Sequence, residues 1–383
     1  MRVSAALAGT LSSDKRPRVG RMLVDGLERG GLIILLLAVF AFFSLDPTSG
    51  PTFATKANLD NILGNQSVTA LVALAMVVPL TAGYFDLSVS ATTGLTNVAV
   101  ASAIGIHGAP IWLGVLIGCL LGVGVGVVNG LLVAGLRLSA FVVTLGSYTF
   151  LGGIVLWYTK GALIVQGIPP SFGNWGSGSF IGLPKPFVLL LVVAVAVWYL
   201  LMQTPYGRYL EGIGSNESAA RLVGINVDRV IWLSFIISGL LAGAAGALQT
   251  SRAAGADPTV GSSFLFPAVA AVFLGATTIR PGRYNVWGTV VGIFFVAESV
   301  SGFALLGADV WVQPVFNGAA LVVAVALSTL IARARVRSRT RALEAAVPDD
   351  EAVAGSPRAG VWGLRFGSSK RQRTSHNRRS NVG

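Results

Sequence analysis

Long apolar runs separated by short polar joints set the pattern of this chain. A helix that crosses a bilayer needs about 20 mostly apolar residues. On that length the pattern predicts ten spans, near residues 31–45, 62–82, 88–106, 111–135, 139–158, 187–203, 230–250, 264–279, 286–306 and 311–332. The alternating strands of a membrane barrel are absent from the pattern. The chain therefore reads as an all-α polytopic membrane protein. Residues 1–30 form a basic N-terminal segment, 31–332 the membrane domain, and 333–383 a basic tail with too few apolar residues to fold alone. Spans two to five and seven to ten have a similar layout, each with a break rich in Gly and Ser or Thr, so two related four-helix groups are expected. No residue-level identity joins them.

Polar residues inside the runs refine this picture. Pro79 and Gly83 break the second span near one end. The third, with Ser, Thr and Asn97, is too polar to face lipid and should lie inside the bundle as a broken or re-entrant helix. Gly118, Gly122, Gly124, Gly126 and Gly130 in the fourth are read as a surface for close helix contact. Glu298 is the one carboxylate well inside a predicted span, and reads as a hydrogen-bonding residue of the bundle interior rather than a proton carrier. Cys119 is the single cysteine and reads as a small packed hydrophobe.

One polar joint is unusually long, at residues 204–229. Within it Asn216 is a good N-cap, Glu217 puts negative charge in the first turn, and Ala219, Ala220, Arg221 and Leu222 favour helix. Gly224 supplies the stop. The product is a helix too short to stand alone in water, which needs a docking partner or support from its flanking spans. An ordinary interfacial loop helix fits this stretch equally well.

Composition agrees with the pattern: 53% of the residues are hydrophobic and only 11% charged, against about 25% charged in soluble domains. A net charge of +12 suggests nucleic acid only until the charges are placed. All basic residues but Lys56, Lys160, Lys185 and Arg252 fall on one side of the ten-span scheme. That asymmetry marks the cytoplasmic side and puts both termini there. Nucleic acid is excluded as a partner. The juxtamembrane arginines from Arg333 to Arg341 suit either topology anchoring or anionic membrane lipid. The dipeptide Gly-Lys does not occur, so there is no P-loop; His107 and His376 are the only histidines, so no His-based metal site forms; no Gly-x-Ser-x-Gly elbow is present. No metal and no cofactor is expected, and the chain reads as a non-enzyme.

Several stretches resemble the permeases of monosaccharide ABC importers of the ribose and xylose type. Phe85-Asp-Leu-Ser-Val-Ser90, Asn129-Gly130 followed by Ser139-Ala-Phe-Val-Val-Thr-Leu-Gly146, Ile213–Ile225, Ser238-Gly-Leu-Leu-Ala-Gly243 and Ala268–Gly275 are similar to that family's boxes, in the family's order, over roughly residues 55–332. Departures include Phe85 for Ile, Ser90 for Gly, Ser139 for Pro and the Arg280-Pro-Gly-Arg283 turn, which bear on the sugar carried. The resemblance implies a type II importer permease in a bacterial cytoplasmic membrane. It implies an ATP-binding subunit dimer that binds the ATP, a second permease, identical or paired, and an extracytoplasmic sugar-binding protein. It makes the 204–229 joint a coupling loop, with Glu217, Ala219, Ala220, Arg221 and Gly224 gripping the ATPase. For the sugar path, Asn65, Gln66, Asp86, Ser88, Asn97 and Thr144 offer the hydrogen-bonding groups a sugar needs, and each equally suits a helix–helix bond. An ion-coupled secondary transporter of sugars or amino acids is the alternative; the scarcity of membrane carboxylates weighs against it.

Overall fold

The computed structural model describes residues 18–327 and 329, so the basic tail expected at 333–383 lies outside the described residues. Fourteen helices follow in chain order: α1 (Arg18–Leu45), α2 (Gly50–Phe53), α3 (Lys56–Thr81), α4 (Ser88–Ala101), α5 (Ile111–Gly130), α6 (Ala140–Thr159), α7 (Pro170–Ser177), α8 (Lys185–Gln203), α9 (Pro205–Ser215), α10 (Glu217–Leu222), α11 (Val227–Ala253), α12 (Val260–Gly275), α13 (Val286–Leu305) and α14 (Val312–Leu327). π-Helical turns at Ser102–Ile106 and Leu131–Gly135 prolong α4 and α5. Among the described residues seven helices are long and apolar enough to cross a membrane, and Gly30–Leu45, Val260–Gly275 and Val312–Leu327 are shorter apolar helices. They coincide with the ten apolar runs of the sequence, and the chain is an all-α polytopic membrane protein.

Hydrophobicity all round a helix places it at the centre of a bundle. α3 obeys this rule: every residue from Ser67 to Leu80 is buried. It passes through Pro79 and stops two residues later at Thr81, and Gly83 just beyond takes φ +86°. α5 behaves in the opposite way. It buries Gly114, Gly118, Gly122, Gly126, Asn129 and Gly130 and turns Leu116, Leu120, Leu121 and Val128 outward, as lipid allows.

The buried face of α5 lies against α11 almost backbone to backbone. A Cβ on Gly122 would sit 2.2 Å from the Gly239 oxygen, and one on Gly126 2.3 Å from the Phe235 oxygen. α11 reciprocates, with a Cβ on Gly239 2.1 Å from the Gly122 oxygen. Small residues four apart permit this approach, and dispersion between the two backbones holds it without help from water. Gly124 does not belong to the seam: it is exposed with nothing within 4 Å of a Cβ. Its spacing, two residues from Gly122 and Gly126, turns it to the far side of the helix.

One further expectation needs correction. The 204–229 joint is not a loop carrying one short helix. α9 precedes α10, started by Pro205 and burying Gly207, Leu210 and Ile213 on one face. The joint after α6 holds α7 and a two-strand hairpin, β1 (Ser179–Phe180) with β2 (Leu183–Pro184). The joints sort to the two ends as charge predicts. Tyr84, Arg137, α10 and Asp228 meet at one end, where Arg280 and Arg283 also reach Glu211 of α9. Lys56 and Arg252 serve the other end, where Arg252 contacts Asn61, Asn65 and the Gly176 carbonyl.

The seam predicts a contrast. Gly122→Val forces α5 off α11 and costs about 1–3 kcal/mol, as overpacking usually does, whereas Gly124→Ala is neutral. Thermal unfolding of the detergent-solubilised proteins should show a lower midpoint for the first variant alone.

Candidate functional site

Two polar clusters stand out from the apolar body. The first surrounds α10. Asn216 caps it, its side chain accepting the Ala219 N–H at 3.0 Å, and Gly224 ends it with φ +84°. Both features follow the sequence reading. Three residues at i, i+3 and i+4 form the inner face of this helix: Glu217, Ala220 and Arg221. Ala220 is buried. Glu217 accepts from the Tyr84 hydroxyl at 3.0 Å and from the Arg221 guanidinium at 3.0 Å. Arg221 also donates to Asp228 at 2.5 Å, and Asp228 faces Arg137 at 3.5 Å. The chain of contacts thus ties α10 to the joint after α3, the joint after α5 and the start of α11. Burial, and then the Glu217 carboxylate it donates to, push Tyr84 up to about 12, so it remains a donor at neutral pH. The hydrogen bonds from Arg221 to Asp228 and Glu217 raise the guanidinium further above its already high range. A second tie holds α9: Glu211 takes Arg283 at 2.9 Å and Arg280 at 3.8 Å.

The second cluster is buried. Asp86 sits in the break between α3 and α4. One carboxylate oxygen accepts the Ser88 N–H (3.1 Å) and hydroxyl (2.6 Å); the other accepts the Ser238 hydroxyl of α11 at 2.8 Å. Asn129 of α5 donates to the Ser88 oxygen at 2.8 Å and accepts the Ser147 hydroxyl of α6 at 2.6 Å. Thr144 donates to Ala140 at 2.8 Å and lies 3.2 Å from the Phe85 oxygen. Five chain segments therefore meet in one knot of hydrogen bonds. Partners of this kind are obligatory, because a buried polar group left unpaired costs about 1–3 kcal/mol.

Of the six residues expected along a sugar path, Asp86, Ser88 and Thr144 converge on this knot. Asn97 is buried elsewhere on α4, donating to Thr250 at 2.9 Å while its own oxygen has no partner. Asn65 bonds Arg252 at 2.8 Å near the opposite end of the bundle, and Gln66 follows it on α3. Glu298 lies partly buried on α13 with one oxygen unpartnered. No group of three or more His, Cys, Asp or Glu residues able to hold a metal occurs among the described residues.

Sequence reasoning missed three groups. Ser238, Asn129 and Ser147 complete the knot, but hydroxyls and amides in spans carry no pattern that pairs them. A hollow of about 460 Å³ lies between α4, α6 and the start of α12, lined by Tyr148, Thr149, Gly153, Thr259, Gly261 and Ser262 among others. Three residues of its wall, Thr149, Thr259 and Ser262, are exposed hydroxyls in a body that otherwise turns leucine, valine and phenylalanine outward. Leu222 and Val223, at the tip of α10, are the third group.

Comparison with known proteins covers most of the chain. The family described as branched-chain amino acid transport system / permease component matches residues 58–325. The ribose import permease protein RbsC of Escherichia coli K12 is 34% identical over 293 residues, 76% of this chain and 91% of that protein. RbsC of Bacillus subtilis is 36% identical over 298 residues, 78% and 90% of the two chains. The D-allose transport system permease protein AlsC of Escherichia coli K12 is 31% identical over 322 residues, 84% and 97% of the two. The resemblance read from the five boxes is borne out.

Asn129→Ala removes one donor and one acceptor from the knot and leaves Ser147 without its acceptor, a cost of about 1–3 kcal/mol. The solubilised variant should melt earlier than the parent.

Proposed function

The chain belongs to the branched-chain amino acid transport system / permease component family, and on that premise we propose that it is the membrane subunit of an ATP-binding-cassette importer for a monosaccharide of the ribose type. The names of its relatives, ribose and D-allose permeases, support the substrate class. The observation that carries the coupling half of the proposal is α10. It is a capped helix between two membrane helices, tied through Glu217 to Tyr84 and through Arg221 to Asp228. These ties fix the helix to the spans, so that movement of one would carry the other. α10 is the handle on which a separate ATP-binding subunit dimer pulls, with Glu217, Ala219, Ala220, Arg221 and Gly224 forming and framing it. ATP binds to that dimer alone. The basic end carrying Arg137, Arg280 and Arg283 faces the cytoplasm, as do both termini, in a bacterial cytoplasmic membrane.

Sugar arrives from an extracytoplasmic binding protein and passes between this chain and a second permease. The exposed hydroxyls of Thr149, Thr259 and Ser262 form its wall here, because sugars need hydrogen-bonding groups and lipid rejects them. Asp86, Ser88, Asn97 and Thr144 brace the helices behind that wall, and Asn65 and Gln66 stand nearer the outer mouth.

Tagged permease should co-purify with a P-loop ATPase, and ribose uptake should stop with vanadate. Uptake that survives vanadate but collapses with an uncoupler, ATP held constant, would instead indicate ion coupling. Gly224→Pro forces a left-handed position into a ring that holds φ near −65°. The variant should reach the membrane at parental levels but transport no sugar; normal uptake would refute the coupling role.

A further inference from the structure

We propose that the contact offered to the ATP-binding subunit is the apolar tip Leu222–Val223, and that the charges of α10 do not take part in docking but hold the helix on the permease. The inference rests on the coupling reading above and assigns its two tasks to different faces of one helix. Ala220 of the inner face is buried, and its neighbours Glu217 and Arg221, though still partly exposed, are engaged within this chain: Glu217 serves Tyr84, and Arg221 bridges Glu217 and Asp228. The opposite face holds Ser218, Ala219 and Leu222, all exposed, with Val223 next along. Leu222 is 88% exposed and Val223 77%. Both belong to the basic end of the bundle, beyond the membrane, so lipid does not explain their exposure. Two adjacent branched apolar side chains so far out of the protein are costly in water and gain on entering an apolar groove.

Charge indicates what surrounds that groove. The carboxylates of this joint, Glu211, Glu217 and Asp228, are all engaged by arginines of the permease. Arg208 and Arg229 are exposed and have no ion-pair partner among the described residues. The joint therefore presents an apolar point together with two unpaired cations. Its complement is an apolar groove with an acidic rim on a soluble subunit. Exposed ion pairs contribute little to affinity while a desolvated apolar anchor contributes much, which places the binding strength at the tip and the steering at the arginines.

The test uses the permease co-purified with its P-loop ATPase from membranes. A photo-crosslinking residue is placed singly at 217, 218, 221, 222 and 223. Positions 222 and 223 should crosslink to the ATPase, and 217 and 221 within the permease. Leu222→Asp should lower the co-purified ATPase by about tenfold or more, the loss expected when burial of one large apolar side chain is forfeited. The level and melting temperature of that permease should stay at parental values. Glu217→Gln should keep the ATPase bound but lower the melting temperature of the permease. Crosslinks to the ATPase from 217 or 221 but not from 222 or 223 would overturn the assignment while leaving the coupling role intact. Retention of the ATPase by Leu222→Asp would overturn it in the same way. An ATPase that crosslinks at none of the five positions would remove the coupling reading and this inference together.

Discussion

The backbone contact between α5 and α11 is the constraint on which the remaining geometry depends. Helices in lipid gain nothing from expelling water between them, so they associate by packing closely. Gly122, Gly126 and Gly239 remove every atom that would hold the two helices apart. α11 is thereby placed along its length, and α11 carries a partner for each polar cluster. Asp228 at its start meets Arg221, Ser238 reaches Asp86, Thr250 meets Asn97, and Arg252 reaches Asn65. A displacement of α11 would strand all four.

The knot around Asp86 shows how a carboxylate is kept inside such a body. Its donors among the described residues are neutral: one backbone N–H and two hydroxyls. Among the described residues no cation pairs with it, so none has to be desolvated there. The segment that carries Asp86 also carries Tyr84, two residues earlier, and Tyr84 is the contact of Glu217. The break between α3 and α4 therefore faces a buried polar centre on one side and α10 on the other.

Much of this fold was legible because bilayer thickness sets the length of an apolar run. The ten runs match the apolar helices to within a few residues, save α14, which is described only to Leu327. The cap of α10 was legible for a similar reason: Asn216, the alanines and Gly224 encode it locally. α9 escaped notice because Gly207, Gly212 and Gly214 dilute its helical signal, although Leu210 and Ile213 keep the spacing of a buried face. Gly124 was assigned to the α5 seam by composition, when the four-residue spacing of Gly118, Gly122 and Gly126 already left it out. Ser238 could not be paired with Asp86 from sequence, since 152 positions separate them and most spans contain hydroxyls. The inward use of Glu217 and Arg221 was equally hidden, for a charged side chain on a short helix does not announce whether it faces a neighbour or its own chain.

Arg252 adds a last consequence. Its guanidinium reaches Asn65, Asn61 and the Gly176 carbonyl, so the far end of α11 is anchored to α3 and α7. The near end is anchored to α10. Between the anchors α11 is held along its middle as well: the Trp232 indole donates to the Val127 carbonyl of α5, Ser238 donates to Asp86, and the Thr93 and Thr96 hydroxyls of α4 donate to the Ala242 carbonyl. A rod fastened at both extremities and along its middle moves as one piece, so a displacement at one end of α11 would reach the other with little lost to bending on the way.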